Sequence, residues 1–401
     1  MKRLLKKLGS KLRGRLARHD RRLRFESMEE RRLMTAAKQP VVKLANDAVI
    51  AQAQADSQDG SISRDDMLGL FELVENGNKV TAQERTDLIN ICNPASGFGM
   101  TDDVRDLTRD VVSSNPANKH YQDKALGNLK AGNSSAKLEK LVDKWFYGDD
   151  LPTTDKFSHY ELISGNLFED GPTYGDIVQG ASGDCYLMSS LAELTLKDPS
   201  AIENMFIDNG DGTFAVRFYE RGVARYVTVN EELPVYNFNG YTGAEYAAFG
   251  GAGSDQTELW GALVEKAYCQ INAEGWLGHG HANSYKAINS GSPVDTIKQI
   301  TNDSTGFTPI SARTSSATLT TIVNDFAAGE AITFATKNHG TAANILPDHS
   351  YAMIGYDATT QKITLFNPWG LNNGSEFPGL VTLSWTEVVH SFWEWEIGNV
   401  A

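Results

Sequence analysis

The pattern of apolar and polar positions predicts a helix in the middle of the chain and a hairpin nearer its C-terminal end. Apolar side chains recur at helical spacing after residue 185, namely Leu187, Met188, Leu191 and Leu194. Further along, the segments SYAMIGYD and KITLF have strand composition and are separated by a polar turn. The helix is therefore expected to begin at Cys185. The hairpin is expected to have His349 at its entrance and Asn367 at its exit.

A cysteine at the start of the predicted helix has a favourable environment for a nucleophile. The helix N-terminus carries partial positive charge and free amide hydrogens, which favour the thiolate. Gln179 precedes Cys185 in the same segment, QGASGDCYLMSSLAEL, so its side-chain amide can return to the same point. One short segment can thus supply a thiol and half of an oxyanion hole. The alternative is a buried core thiol, because free cysteine is among the most buried residue types.

The predicted hairpin can supply the partners that a thiolate nucleophile needs. An imidazole must take the thiol proton and later return it to the leaving amine. A hairpin brings its two ends together, so Asn367 can accept a hydrogen bond from His349 and fix the tautomer of its ring. Trp369 can then cover this pair from water. The alternative is an ordinary hairpin with a polar histidine at its edge.

Together these segments resemble the calpain family of papain-like cysteine proteases. The nucleophile motif matches QGASGDCYLMSSLAEL, the histidine motif DHSYAMIGYD and the asparagine motif NPWG. The stretches ELWGALVEKAYCQIN and LSWTEVVHSFWEWEIGNV are also similar to the calpain core, and the resemblance covers residues 146–401. It implies an α+β fold, with a helical half that carries the cysteine, a β-rich half that carries the histidine and asparagine, and the active site between them.

The resemblance also implies a role for each matched residue. Cys185 would be the nucleophile, His349 the general base and acid, and Asn367 the orienting residue of a peptide hydrolase that acts through a thioester. Gln179 and the Cys185 backbone amide would hold the oxyanion, and Trp369 would shield the His–Asn bond. The position after the nucleophile holds tyrosine, where the family usually has tryptophan. An aromatic ring is kept, so altered packing is expected there rather than lost chemistry.

Calpains assemble their active site when calcium binds the protease core, and part of that site has a counterpart here. Calcium takes six to eight oxygen ligands. Asp176, Gly171 through its carbonyl, and Glu258 match family calcium ligands. The alternative is a pair of surface carboxylates that cap the ends of elements. A second family site lies in a loop after NPWG that is much shorter here, so it is not expected.

The segment DSQDGSISRDDM, residues 56–67, resembles an EF-hand loop. With Gly60 as the obligatory glycine, Asp59 and Asp66 take ligand positions of the loop, but its first position falls on Ala55. Losing the first carboxylate should weaken calcium binding greatly. A second candidate loop, ENGNKVTAQE, covers residues 75–84. The two predict a degenerate, α-helical EF-hand-like pair, and the alternative is a helix-turn-helix with vestigial loops.

Charge is distributed unevenly along the chain. The whole chain has a net charge of −14, whereas residues 1–38 carry 14 Lys/Arg and 4 Asp/Glu, a net +10. The acidic remainder argues against nucleic-acid binding. The segment RLRFESMEERRLMTA resembles the N-terminal sorting segment of certain bacterial exported and surface proteins, which would place the mature N-terminus near Ala36 or Ala37. A solvated charged helix on a cytoplasmic protein is the alternative, and no apolar run is long enough to span a membrane.

These features give an expected domain organisation: a basic targeting segment (1–37), a linker (38–54), the EF-hand-like pair (55–91), a spacer or propeptide (92–145) and the protease domain (146–401). Three cysteines cannot form a disulfide framework with none left over.

The expected function is calcium-responsive endopeptidase activity on proteins or peptides, with no organic cofactor and no nucleic-acid partner. Two alternatives remain open. One is a catalytically silent calpain-like binding or scaffold protein. The other is a self-processing zymogen that is held inactive by residues 38–145. The sequence gives no oligomeric state.

Overall fold

The computed structural model describes residues 48–238, 241–249, 257–310 and 315–399. The chain divides into two compact units, and substantial amounts of both helix and strand confirm the α+β class. The predicted targeting segment, its sorting motif and the first part of the predicted linker lie outside the described residues. Within the described ranges, every helix is too short or too polar to traverse a bilayer.

The first unit includes residues 48–113, 128–142 and 208–214 of the described chain. Its helices are α1 (Ala48–Asp56), α2 (Arg64–Glu75), α3 (Ala82–Ile91), α4 (Asp102–Val112) and the part of α5 (Ser135–Phe146) up to residue 142. They enclose a core of fully buried apolar side chains: Met67, Leu70, Phe71, Val74, Leu88, Ile91, Leu107, Val111, Leu138 and Leu141.

Two helices of this unit begin with the same pattern of capping hydrogen bonds. Ser63 before α2 and Thr81 before α3 each accept a hydrogen bond from the backbone amide at the third helical position. The acidic residues at those positions, Asp66 and Glu84, accept the backbone N–H of the capping residue in return. Such capping boxes satisfy two amide donors that a helix start leaves free.

The first candidate EF-hand loop pairs with a loop that the sequence did not single out. Ile62 N donates to Gly99 O at 2.8 Å, and this joins the α1–α2 loop to the α3–α4 loop. Each loop contains a glycine in the left-handed region, Gly60 at φ 110° and Gly97 at φ 83°. The second candidate segment, 75–84, instead covers the end of α2, a turn and the start of α3.

The second unit includes residues 114–127, 143–207 and 215–399 of the described chain. Its largest sheet is antiparallel, in the order β13-β12-β11-β10-β14-β9. The strands are β9 (Thr305–Pro309), β10 (Ala331–Thr336), β11 (Ser350–Asp357), β12 (Lys362–Phe366), β13 (Leu380–Ser384) and β14 (Phe392–Gly398). Helix α10 (Ser316–Ala328) precedes β10, and α11 (Trp385–Ser391) lies between β13 and β14.

Both faces of this sheet are covered. Tyr351 and Met353 of β11 join the apolar cluster that includes Ile322 of α10 and Val388 of α11. The alternate residue Ser350 points to the other face, where its hydroxyl bonds Ser189 of a helix. The period of two along β11 thus fixes which side chains reach the helical side of the unit.

The remaining elements of the second unit are helices and short strands. The helices are α6 (Cys185–Lys197), α7 (Pro199–Glu203), α8 (Trp260–Asn272) and α9 (Pro293–Thr301). The strands are β1 (His120–Tyr121), β2 (Lys124–Ala125), β3 (Ser158–Leu162), β4 (Phe206–Asp208), β5 (Thr213–Glu220), β6 (Val223–Asn230), β7 (Glu232–Phe238) and β8 (Tyr241–Ala244). The last residue of β4 and the first two residues of β5 belong to the first unit. Helix α6 packs against β10, β11 and α9, and every residue of α8 is buried.

Candidate active site

Cys185 is the first residue of α6, as the apolar periodicity predicted. The preceding carbonyl, Asp184 O, accepts from Leu187 N at 2.8 Å and from Met188 N at 3.1 Å, which closes the first turn. The thiol is partly exposed, whereas the next ten residues of the helix are buried. The helix is therefore anchored in the core with its cysteine at the accessible end.

The surroundings of Cys185 favour the protonated thiol in this arrangement. Burial raises the pKa of the Cys185 thiol to about 11, and the Asp184 carboxylate adds to the rise. A hydrogen bond from the backbone of Ser350 acts in the opposite direction and lowers the pKa. Because Ser350 follows His349 directly, this contact places the thiol beside the histidine segment.

His349 and Asn367 meet as the hairpin geometry predicted. His349 Nε2 lies 2.9 Å from Asn367 Oδ1, and the asparagine is fully buried. Asn367 Oδ1 also accepts from Trp369 N at 3.1 Å, while its Nδ2 donates to Phe377 O at 3.3 Å. These neighbours assign the amide orientation, so the ring must donate through Nε2–H. Nδ1 is left without a proton and is the basic nitrogen.

The imidazole is held in place from the strand and by aromatic rings. His349 N donates to Thr336 Oγ1 at 2.8 Å, and Thr336 N donates to His349 O at 2.9 Å. The Trp369 ring lies 5.8 Å from the imidazole at 64°, and Tyr351 lies 5.2 Å away at 86°. Burial lowers the pKa of His349 to about 4, so the ring is neutral near pH 7.

Gln179 lies between the nucleophile helix and the asparagine motif. Its backbone N donates to Pro368 O at 2.7 Å, which ties the two motifs together. Its side-chain Nε2 donates to Ser182 O at 2.7 Å, and Oε1 is buried without a donor. The adjacent Gly180 has no room for a side chain, since a Cβ would lie 2.1 Å from Tyr246 O.

The structure thus brings five predicted site residues into one region: Cys185, Gln179, His349, Asn367 and Trp369. It does not form all the contacts that were predicted between them. In the described part of the chain, no hydrogen bond joins the Cys185 thiol to the His349 ring. The Gln179 amide faces its own loop. The arrangement contains a thiol, a neutral base and an amide donor at the same place, in a resting geometry.

The two carboxylates matched to calcium ligands already have partners within the protein. Asp176 Oδ2 accepts from Thr173 N at 2.6 Å and from Trp260 Nε1 at 3.3 Å. Glu258 Oε1 accepts from Glu169 N at 2.9 Å. Gly171 adopts φ 86°, a conformation that favours glycine.

Negative charge is concentrated around these residues. Burial raises the pKa of Glu258 to about 7, and the carboxylates of Asp176, Glu169 and Asp170 raise it further. This oxygen-rich donor set suits a hard cation in its chemistry. Its geometry does not fit as placed, because no three His, Cys, Asp or Glu side chains among the described residues converge on one metal position.

The candidate ligands of the EF-hand-like loop also serve as local caps. Asp59 Oδ1 accepts from Ser61 N at 3.2 Å, and Asp66 Oδ2 accepts from Ser63 N at 2.8 Å. Asp66 Oδ2 also accepts from Ser63 Oγ at 2.6 Å. Both carboxylates therefore have a structural role that needs no calcium.

Two sets of contacts next to Cys185 were not predicted from the sequence. Tyr186 donates its hydroxyl to Ile288 O at 2.8 Å and stacks on His279, with centroids 5.8 Å apart. The other involves Glu265, which is buried in α8 and raises the electrostatic cost of charge on Asp184. A glutamate and a lysine within the largely apolar run LVEKAYC were the available signal.

Comparisons with known proteins agree on one family. The family described as calpain family cysteine protease matches residues 156–390. Calpain clp-4 of Caenorhabditis elegans is 28% identical over 239 residues, which are 55% of this chain and 30% of that protein. The calpain-2 catalytic subunit of Gallus gallus is 30% identical over 182 residues, which are 44% of this chain and 22% of that protein. For the calpain-1 catalytic subunit of Mus musculus the identity is 28% over 236 residues, 52% of this chain and 30% of that protein.

Most of the family match lies in the unit that contains Cys185 and His349. Each alignment with a curated relative covers less than a third of that relative's length. The family match itself covers more than half of this chain. The chain therefore belongs to the calpain family of cysteine proteases.

Proposed function

We propose that the chain is a calcium-responsive endopeptidase that cleaves peptide bonds with a Cys185–His349–Asn367 triad. The observation that carries the proposal is the 2.9 Å contact between His349 Nε2 and Asn367 Oδ1 beside a cysteine at a helix start. This contact leaves Nδ1 of the imidazole free to act as the base. A thiol protease requires the combination of an anchored asparagine, an oriented histidine and an accessible thiol.

The proposed reaction has two halves. The Cys185 thiol gives its proton to His349 Nδ1, and Sγ attacks the carbonyl carbon of the scissile bond. The oxyanion receives hydrogen bonds from Gln179 Nε2 and the Cys185 backbone amide. The C–N bond then breaks, the imidazolium gives its proton to the leaving amine, and a thioester remains. Water, deprotonated by His349, hydrolyses the thioester, which releases the acid and restores the thiol.

The resting geometry supports a regulated enzyme. Cleavage needs the thiol to contact the imidazole and the Gln179 amide to leave Ser182 O, and we assign both changes to the loop that precedes Cys185. The same loop begins near Asp176, within the acidic surroundings of Glu258. Calcium binding there would relieve the repulsion between carboxylates. Because the donors do not converge as placed, binding would have to draw them together, and no step of the chemistry passes through the ion.

The protease proposal is tested by hydrolysis of an unfolded protein substrate and by alkylation with iodoacetamide. Cys185→Ala should abolish hydrolysis while circular dichroism shows an intact fold. Cys92→Ala is the matched control, since Cys92 is buried in the first unit, and it should leave activity intact. Hydrolysis by Cys185→Ala at the wild-type rate would refute the triad. A folded wild type that neither cleaves nor labels rapidly at Cys185 would favour the silent scaffold.

The calcium proposal needs a separate test. Activity of the wild type should fall in excess chelator and return with calcium. Glu258→Gln should weaken that response, whereas Asp66→Ala in the EF-hand-like loop should leave it unchanged. Equal turnover with calcium and with chelator would remove the calcium response and leave the protease. Mass spectrometry of the purified protein over time, with and without calcium, would reveal self-processing.

A further inference from the structure

Two buried carboxyl groups lie directly behind the proposed oxyanion glutamine. Asp184 precedes the nucleophile and is fully buried, and Glu265 of α8 is 1% exposed. The two side chains are close enough to shift each other's pKa, and the Gln179 amide is close enough to shift that of Asp184. Glu265 Oε2 accepts from Ala247 N at 2.8 Å, which fixes one oxygen and leaves Oε1 without a donor.

The oxygens between these groups lack donors. In the described part of the chain, neither Asp184 oxygen nor Glu265 Oε1 receives an N–H or O–H group of good geometry. Two carboxylates buried side by side in the protein interior cannot both be charged. A proton on Glu265 Oε1, donated to Asp184, satisfies the pair with a single negative charge. Burial and the neighbouring carboxylate both raise the pKa of Glu265, in agreement with this protonation.

The groups around the pair are neutral. Those that face Glu265 are the phenols of Tyr160, Tyr246 and Tyr285. Those that face Asp184 are Tyr186, Tyr268 and the Cys185 thiol, and the Cys269 thiol faces both carboxyl groups. The adjacent Lys266 directs its ammonium to Asn230 and to Glu232 O at 2.7 Å. A shared proton is therefore the available way to balance the second carboxylate.

We propose that Glu265, through a proton shared with Asp184, is a positioning residue for Gln179 and for the start of the nucleophile helix. With the proton on Glu265, the Asp184 carboxylate can accept one N–H of the Gln179 amide. The other N–H, which donates to Ser182 O in the resting geometry, is the one that turns to the oxyanion. This inference rests on the proposed function for its catalytic consequence, but the shared proton can be measured without it.

The catalytic consequence is tested by steady-state kinetics of Glu265→Leu and Glu265→Gln. Leucine leaves Ala247 N and Asp184 unpaired, so kcat should fall at least about tenfold while KM stays within about threefold, since an oxyanion donor acts in the transition state. Glutamine can accept from Ala247 N and donate to Asp184, so it should restore kcat to within about threefold of wild type.

Glu193→Gln is the matched control for these kinetics. Glu193 is an equally buried glutamate that accepts a backbone amide, from Ile332 at 2.9 Å, but it lies two turns along α6. It should leave kcat within about twofold of wild type. Wild-type kcat in a folded Glu265→Leu variant would overturn the proposal. An equal loss of kcat in the leucine and glutamine variants would overturn it as well. An inactive wild type would instead count against the proposed function.

The shared proton is tested by thermal unfolding in the inactive Cys185→Ala background. The folded protein holds a proton on Glu265 that the unfolded chain loses, so this stabilisation disappears as pH rises. Glutamine does not titrate, so the variant that also contains Glu265→Gln does not lose stability in this way. The Tm of that variant minus the Tm of the Cys185→Ala background should therefore increase between about pH 5 and about pH 9. The increase should be smaller when Asp184→Asn removes the neighbouring charge. A Tm difference independent of pH would overturn the shared proton, whatever the activity.

Discussion

Replacing Asn367 with aspartate tests the contact that orients the imidazole. Aspartate has the same shape, and its carboxylate can accept from both His349 Nε2 at 2.9 Å and Trp369 N at 3.1 Å. The donor to Phe377 O is lost. The main change is a negative charge in contact with the ring, at a site where both side chains are buried. The imidazolium should therefore become more stable.

The size of the effect follows from burial and charge. Burial holds the pKa of His349 at about 4, against its ordinary value of 6.5. That difference corresponds to about 3 kcal/mol of stability that is present above pH 6.5 and lost as pH falls towards 4. An opposite charge in contact raises a histidine pKa by about 1 to 3 units. Asn367→Asp should therefore bring the pKa of His349 back to about 5 to 7 and remove part of the loss of stability in acid.

The assay is a pH titration of the His349 ring by NMR in the Cys185→Ala background, with His349→Gln to assign the signal. Asn373→Asp is the matched control. Asn373 Nδ2 donates to the same carbonyl, Phe377 O, at 3.0 Å, so this variant adds the same charge to the same loop. It should shift the pKa of His349 by less than about half a unit. An equal shift in both variants, or none in Asn367→Asp, would refute the orientation inferred for the ring.

Three further predictions concern packing and capping. Gly180→Ala should reduce hydrolysis at least about tenfold and destabilise the fold by about 1–3 kcal/mol in denaturant unfolding, because its Cβ would collide with the Tyr246 backbone. Gly69→Ala is the control, in a helix with open space around this position, and it should stabilise the fold by about 0.5–1 kcal/mol in the same assay. Asp66→Ala should cost about 0.5–2 kcal/mol equally with calcium and with chelator, and a loss seen only with calcium would contradict the capping role. Tyr186→Phe should cost about 1–3 kcal/mol by denaturant unfolding with activity retained, and an unchanged midpoint would show that its hydroxyl bond contributes nothing.

Local pattern was enough to predict the elements that carry the site. The strands fall at Ser350–Asp357 and Lys362–Phe366, and the helix starts at Cys185. Periodicity and turn signals act within about ten residues, so they place these elements without any tertiary information. The meeting of His349 and Asn367 follows because a hairpin joins its own ends.

Contacts between distant segments could not be predicted in the same way. Helix α4 has apolar residues at helical spacing, but its many charged residues made the segment look like an exposed spacer. Three of these charged residues are in fact buried: Asp103, Asp106 and Asp110. Its loop pairs with the loop before α2 through Ile62 and Gly99, two residues that carry no sequence signal for pairing. The link from Gln179 N to Pro368 O is of the same kind, since backbone groups bond whatever their side chains are.

Burial is the common cause of the resting state of the site. It raises the pKa of the Cys185 thiol and lowers that of the His349 ring, so the low-dielectric surroundings oppose a thiolate–imidazolium pair formed from separated groups. A thiolate–imidazolium pair becomes favourable only when the two groups are in contact, because their mutual attraction then compensates for the lost hydration. Activation of such a site needs contact between sulfur and ring rather than a change of pH. Gln179 N already donates to Pro368 O beside Asn367, so the proposed activation would move the loop that contains Gln179.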